Sequence, residues 1–192
     1  MLRPRQSAVL QLQAGQSGHN QERNMTINEP IDAFVALLSH ARSTTERSAK
    51  IYTELGQLAE NPDVKTALDA RAFVQSGSLA KIDEAFKLIG KKPVEFPGKL
   101  TEMMVENFRE ELAEIKAPAI RRLYVLSKAI QIAHWRIGEW VALVAAADVT
   151  GNYGVGVLLE TCLAEDLAFA ERTRRILRKV AKEKIAARQA AK

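Results

Sequence analysis

The residues best placed for chemistry in this chain are ionisable groups inside apolar helical stripes. His134 lies in IQIAHWRIGEWVALV, and Glu165 and Asp166 lie in VLLETCLAEDLAFA. A carboxylate at a leucine position carries a large desolvation cost unless a proton, a metal or a partner neutralises it. Helical bundles build core metal sites from such groups: two helices each give a Glu, and the other two each give a Glu with a His three residues on. The candidates here are Glu46, His134, Glu165 and Asp166, with Gln75 and Ser78 at the same spacing on another helix. Carboxylates with an imidazole suit iron or manganese. Gln75 and Ser78 bring no negative charge to offset two cations, and Ala133 and Arg136 flank the His134 and Trp135 pair. A single ion is conceivable on this set; a dinuclear centre is not expected.

Each candidate also has a plainer reading. Glu46 sits one residue off its stripe and would then face solvent. His134 would be a core histidine hydrogen-bonded across the molecule. Glu165 would pair with Arg136 or Arg71, both at or near core-facing positions, so that a guanidinium stands in for a metal cation. Arginine keeps its charge under all ordinary conditions and would repel a metal. Trp135, Trp140 and Tyr153 read as packing residues. No Gly-rich phosphate loop, Ser-His-Asp set, Cys-His cluster or nucleophile elbow is present, and no small-molecule substrate is implied.

These groups need long helices to hold them, and the hydrophobic spacing predicts four. The first runs from about 31 to 59, with Phe34, Leu38, Ala41, Thr45, Ala49, Tyr52, Leu55 and Ala59 on one face. Pro62 ends it by disfavouring helical geometry at the residue before. The second runs over 63–89, with Leu68, Arg71, Gln75, Leu79, Ile82, Phe86 and Ile89, and Gly90 is a natural stop. KKPVEFPG then forms an irregular link to a shorter amphipathic helix at 100–115. The third long helix starts at Pro118 and carries the stripe Leu123, Leu126, Ile130, His134, Ile137, Val141 and Val144. After a turn at Gly151, Asn152 and Gly154, the fourth begins near Val155, with Leu158, Cys162, Glu165, Phe169, Thr173, Ile176 and Val180. No segment reads as a strand. The expected fold is all-α: a ferritin-like four-helix bundle with one long crossover carrying a short accessory helix.

Of the 192 residues, 47% are hydrophobic and 27% charged, the composition of one ordinary folded domain. The longest apolar run, WVALVAAA, is far short of the roughly 20 residues that cross a bilayer, so no membrane partner is expected. The single cysteine, Cys162, cannot form an internal disulfide, which makes a reducing, cytoplasmic setting the default. Residues 1–28 are rich in Gln, Ser, Asn and Gly without periodicity and are set apart as a disordered extension, with Met25 a candidate start. The bundle is placed at 29–180, and 181–192 is read as a basic tail continuing the last helix. Between Arg172 and Lys192 nine bases face one acid, so the net charge of +5 belongs to this end and the rest of the chain is net negative. Arg174, Arg175, Arg178, Lys179 and Lys182 are therefore candidates for binding nucleic acid or another anionic surface.

Three segments resemble the YciE/YciF family of ferritin-like bacterial stress proteins: AKIDEAFKLIGKKP at 80–93, AIQIAHWRIGEW at 129–140 and LLETCLAEDLAFAERT at 158–173. The resemblance covers about 33–177. It implies a ferritin-like bundle, a homodimer and an ancestral dinuclear metal site. Glu46, His134, Glu165 and Asp166 match the family's pattern. The chain departs from it with Arg71 where His is usual, Gln75 for Thr, Ser78 for Gln, Ala133 for the Glu before the His, and Arg136 for the second Glu. The expected function is thus a non-enzymatic stress-response protein with a degenerate metal site. The alternatives are an iron or manganese protein handling oxygen or peroxide, and nucleic-acid binding through the basic end.

Overall fold

A computed structural model describes residues 27–59, 61–95 and 99–190, with side chains as far as Glu183. The extension at 1–28 lies outside the described residues except for Ile27 and Asn28. Helices make up almost all of what is described, and no strand occurs among the described residues. They are α1 (Pro30–Leu58), α2 (Pro62–Leu88), α3 (Lys99–Glu114), α4 (Pro118–Val149) and α5 (Tyr153–Ala190).

Local chemistry sets these boundaries. Glu29 and Asp32 form a reciprocal capping box ahead of α1. The Asn61 side chain accepts from the backbone N–H groups of Asp63 and Val64, each at 3.1 Å, which starts α2. Gly90 (φ 64°) and Gly151 (φ 70°) end α2 and α4 in the left-handed region that glycine enters without a Cβ clash. The boundaries agree with the spacing to within about two residues, as is usual for helix ends.

The four long helices close a ring, α1 against α2 and α4, and α5 against α4 and α2. Helix α3 lies outside it, on α1 and α4. Phe108 and Leu112 bury its apolar face, Arg109 pairs with Glu54 at 2.7 Å, and Glu111 pairs with Lys128 at 2.8 Å. The link before α3 is held where the Val94 N–H donates to Ser39 Oγ at 3.0 Å.

One stripe differs from expectation. The buried face of α4 is Val125, Leu126, Ala129, Ile132, Ala133, Arg136, Trp140, Leu143 and Ala147, about one residue round from the predicted line. His134 and Val141 consequently face outward. Helix α4 is apolar on several sides, so its periodicity has little contrast, and packing against α1 and α5 selects the buried face.

Candidate functional site

A polar belt divides the interior into two apolar clusters. One holds Ile51, Leu68, Ala133 and Phe169; the other holds Ala41, Ile82, Trp140 and Cys162. On each long helix the belt residue falls between members of the two clusters: Thr45 on α1, Arg71, Gln75 and Ser78 on α2, Arg136 on α4 and Asp166 on α5. All six are at most 2% exposed. Buried polar groups at this density need one another as partners, and most find them, while Arg71 Nη1, Arg136 Nε and the Tyr52 hydroxyl are buried without a hydrogen-bond partner among the described residues.

Arg71 and Asp166 form an ion pair across the α2–α5 interface. The other Asp166 oxygen accepts from the Trp140 indole N–H. With its amide oxygen turned toward the guanidinium, Gln75 accepts from Arg71, at 3.1 Å for Nε. The rings of Tyr52 and Phe169 cover the guanidinium, their centroids 5.7 and 5.1 Å from Cζ. Burial pushes the Asp166 carboxyl up from its ordinary value, while the Arg71 charge and the Trp140 donor pull it down. Burial also pushes the Tyr52 phenol up.

Arg136 supplies the second buried cation. It donates to Glu139, one turn along the same helix, to Thr45 Oγ1, and at 3.4 Å to the Ala41 carbonyl. Its Cζ lies 4.4 Å from the Trp140 ring, so that indole touches both halves of the belt. Glu139, 13% exposed, also meets His40 Nδ1 at 3.0 Å and accepts from Thr44 Oγ1 at 3.3 Å. At the rim, Glu165 pairs with Lys81 at 2.5 Å and accepts from Ser78 Oγ at 3.3 Å.

The four metal-ligand candidates do not converge. Glu46 is exposed and faces Lys50 at 3.8 Å, because its position lies off the α1 stripe. His134 is exposed because of the rotation of α4, and is neither a ligand in the interior nor a core histidine. Of the two acids on α5, Asp166 occupies the centre and Glu165 the rim, so the pairing expected for Glu165 belongs to its neighbour. Arg71 and Arg136 do enter the core. Trp140 is buried as a packing residue and serves also as a donor, whereas Tyr153 is exposed rather than packed.

Sequence reasoning passed over Glu139 and the donor role of Trp140. The readable signal was the spacing of three between Arg136 and Glu139, which puts both on one helix face.

The donor set does not fit a dinuclear centre. Among the described residues no group of three or more His, Cys, Asp or Glu side chains could hold a metal ion. Asp166, the most central carboxylate, already has a cation at one oxygen and an indole donor at the other. On the basic end, Arg174, Arg175, Arg178, Lys179 and Lys182 all occupy exposed positions. Glu171 pairs with Arg174 and, at 3.0 Å, with Arg175, and their hydrogen bonds hold its carboxyl below the usual range.

Solved structures share this fold, among them the following three. The stress protein YciF of E. coli has a TM-score of 0.77 at 19% identity, over 81% of this chain and 99% of that one. YcfI of Rhodopseudomonas palustris has a TM-score of 0.75 at 19% identity, over 79% and 97%. A protein of Xanthomonas campestris has a TM-score of 0.65 at 13% identity, over 84% and 99%. Among curated protein sequences none matches. The family model described as a domain of unknown function, DUF892, matches residues 29–186. The polar belt thus sits in a known helical frame, and the chain belongs to the DUF892 family, the YciE/YciF group.

Proposed function

We propose that the chain is a non-enzymatic, ferritin-like four-helix bundle protein of bacterial stress physiology, acting as a homodimer through its outer surface. Two guanidiniums close its polar centre in place of a dinuclear iron or manganese site. The carrying observation is that Arg71 and Arg136, both fully buried, neutralise Asp166 and Glu139. Arginine charge cannot be removed by deprotonation, so a metal entering the belt would have to displace a guanidinium into the apolar clusters. The name of the E. coli neighbour, a stress protein, supports the physiological setting. Exposed apolar residues on α4 and α5, among them Val141, Val149, Tyr153 and Val157, support assembly through these helices.

Equilibrium dialysis of the full chain against Fe(II) and Mn(II), with oxygen and peroxide consumption followed in parallel, tests this reading. The expected result is no stoichiometric metal and no turnover above the metal salt alone. Stoichiometric binding lost in Glu165→Ala or Asp166→Ala, or catalytic peroxide consumption, would favour the metal-protein alternative.

A second reading concerns the basic end. Arg178, Lys179 and Lys182 are exposed and pair with no acid among the described residues, which favours binding of nucleic acid or another polyanion by α5.

A further inference from the structure

Helix α4 turns an almost uncharged face to solvent. Beyond His134 its exposed residues are Gly138, Val141, Ala142, Ala145, Asp148 and Val149. Val141 and Val149 are 53% and 74% exposed. In a chain with 27% charged residues, a strip of this length with a single acid marks an interface rather than ordinary surface.

Gly138 points the same way. Glycine weakens the middle of a helix relative to alanine, yet a Cβ at this position would meet nothing within 4 Å. Nothing described inside the chain requires glycine there, whereas a second helix crossing at Gly138, Ala142 and Ala145 could approach closely because the side chains are small.

The face is also complementary to itself. His134 and Asp148 lie seven residues on either side of Val141, so the three share one stripe. Neither side chain has a hydrogen bond or ion pair among the described residues. They are about 21 Å apart along the helix and do not reach each other within one chain. An imidazole donates an N–H in either protonation state, and a carboxylate accepts. A twofold axis through Val141, perpendicular to α4, sets each His134 against Asp148 of the other copy. A parallel pairing would set His134 against His134 and Asp148 against Asp148, leaving both unmatched.

We propose that this face of α4 is the contact between two copies of the chain, packed antiparallel about Val141 with two reciprocal His134–Asp148 contacts. The pairing rests on the homodimer reading above and adds its face and register.

Sedimentation equilibrium of the full chain tests it, with His134→Glu alone and combined with Asp148→Lys, and with Val141→Cys and Phe73→Cys for disulfide cross-linking. The wild type should be a dimer. His134→Glu brings two carboxylates together at each contact and should weaken dimerisation on the order of tenfold, and the double variant should recover to within about threefold of the wild type. Because the two positions are too far apart to interact in one chain, only pairing between copies gives that rescue. Under mild oxidation Val141→Cys should yield covalent dimers, and Phe73→Cys, 80% exposed on the diagonally placed helix α2, should not; Cys162 is buried and does not compete. A monomeric wild type would overturn both the pairing and the homodimer reading and leave the face to a different partner. A wild-type dimer in which the double variant is no tighter than His134→Glu, or in which Val141→Cys does not cross-link, would overturn the pairing alone.

Discussion

Opposing effects meet at Asp166. Desolvation raises its carboxyl against the pull of Arg71 and Trp140, and a buried pair of this kind is expected to organise the α2–α5 contact more than it adds net stability. Removing one partner is a different matter, because the other charge stays buried. Asp166→Ala is expected to lower unfolding stability by about 3–5 kcal/mol in urea titrations, while the double variant Arg71→Met with Asp166→Leu should return close to the wild type. Equal loss in the single and double variants would show that the pair itself stabilises the fold. Cys162 offers a second test. Burial pushes its thiol up, so at pH 8 the folded chain should not react with a disulfide reagent, and the denatured chain should. The sign for stability follows from the raised value: the neutral thiol's contribution is complete below the free-thiol range and is lost as pH climbs through the folded value. Cys162→Ala should therefore reduce the alkaline fall in stability, leaving the part due to Tyr52. Arg71, Gln75 and Ser78 were legible in the sequence as polar residues on or beside an apolar stripe. The choice between Glu165 and Asp166 was not, because adjacent residues differ by about 100° of helix rotation and only packing selects between them.

Helix boundaries were legible because proline, glycine and asparagine mark them chemically. Asn61→Ala should cost about 1 kcal/mol by stranding the first N–H groups of α2. The orientation of α4 was not legible, since Ile130, Ile137 and Val141 compete with the true face, and the true face mixes Ala129, Ala133 and Ala147 with the polar Arg136 among its larger apolar residues. His134 was misplaced for that reason, and with it the expected site. The rotation has a direct test. His134→Ala should change stability by less than about 0.5 kcal/mol, as at other exposed positions. Ala133→Leu, fully buried, should cost about 1–3 kcal/mol through overpacking. The opposite order of effects would return His134 to the core.

Over the whole molecule, charge is segregated: a basic end on α5 and a remainder with net negative charge. Glu171 engages Arg174 and Arg175, so among the described side chains of this end the exposed cations without an acid partner are Arg172, Arg178, Lys179 and Lys182. If this end binds nucleic acid, affinity should fall linearly in log K with log salt and disappear when the chain is cut after Arg172; binding insensitive to salt would exclude a phosphate-tracking mode. The interior carries the central claim, that guanidinium charge fills the place of metal in this frame. Crystals grown with Mn(II) and examined by anomalous scattering test it most directly. The account predicts no interior anomalous peak, with Arg71 still between Asp166 and Gln75. A peak bridging Asp166 and Glu165, with Arg71 displaced, would contradict it.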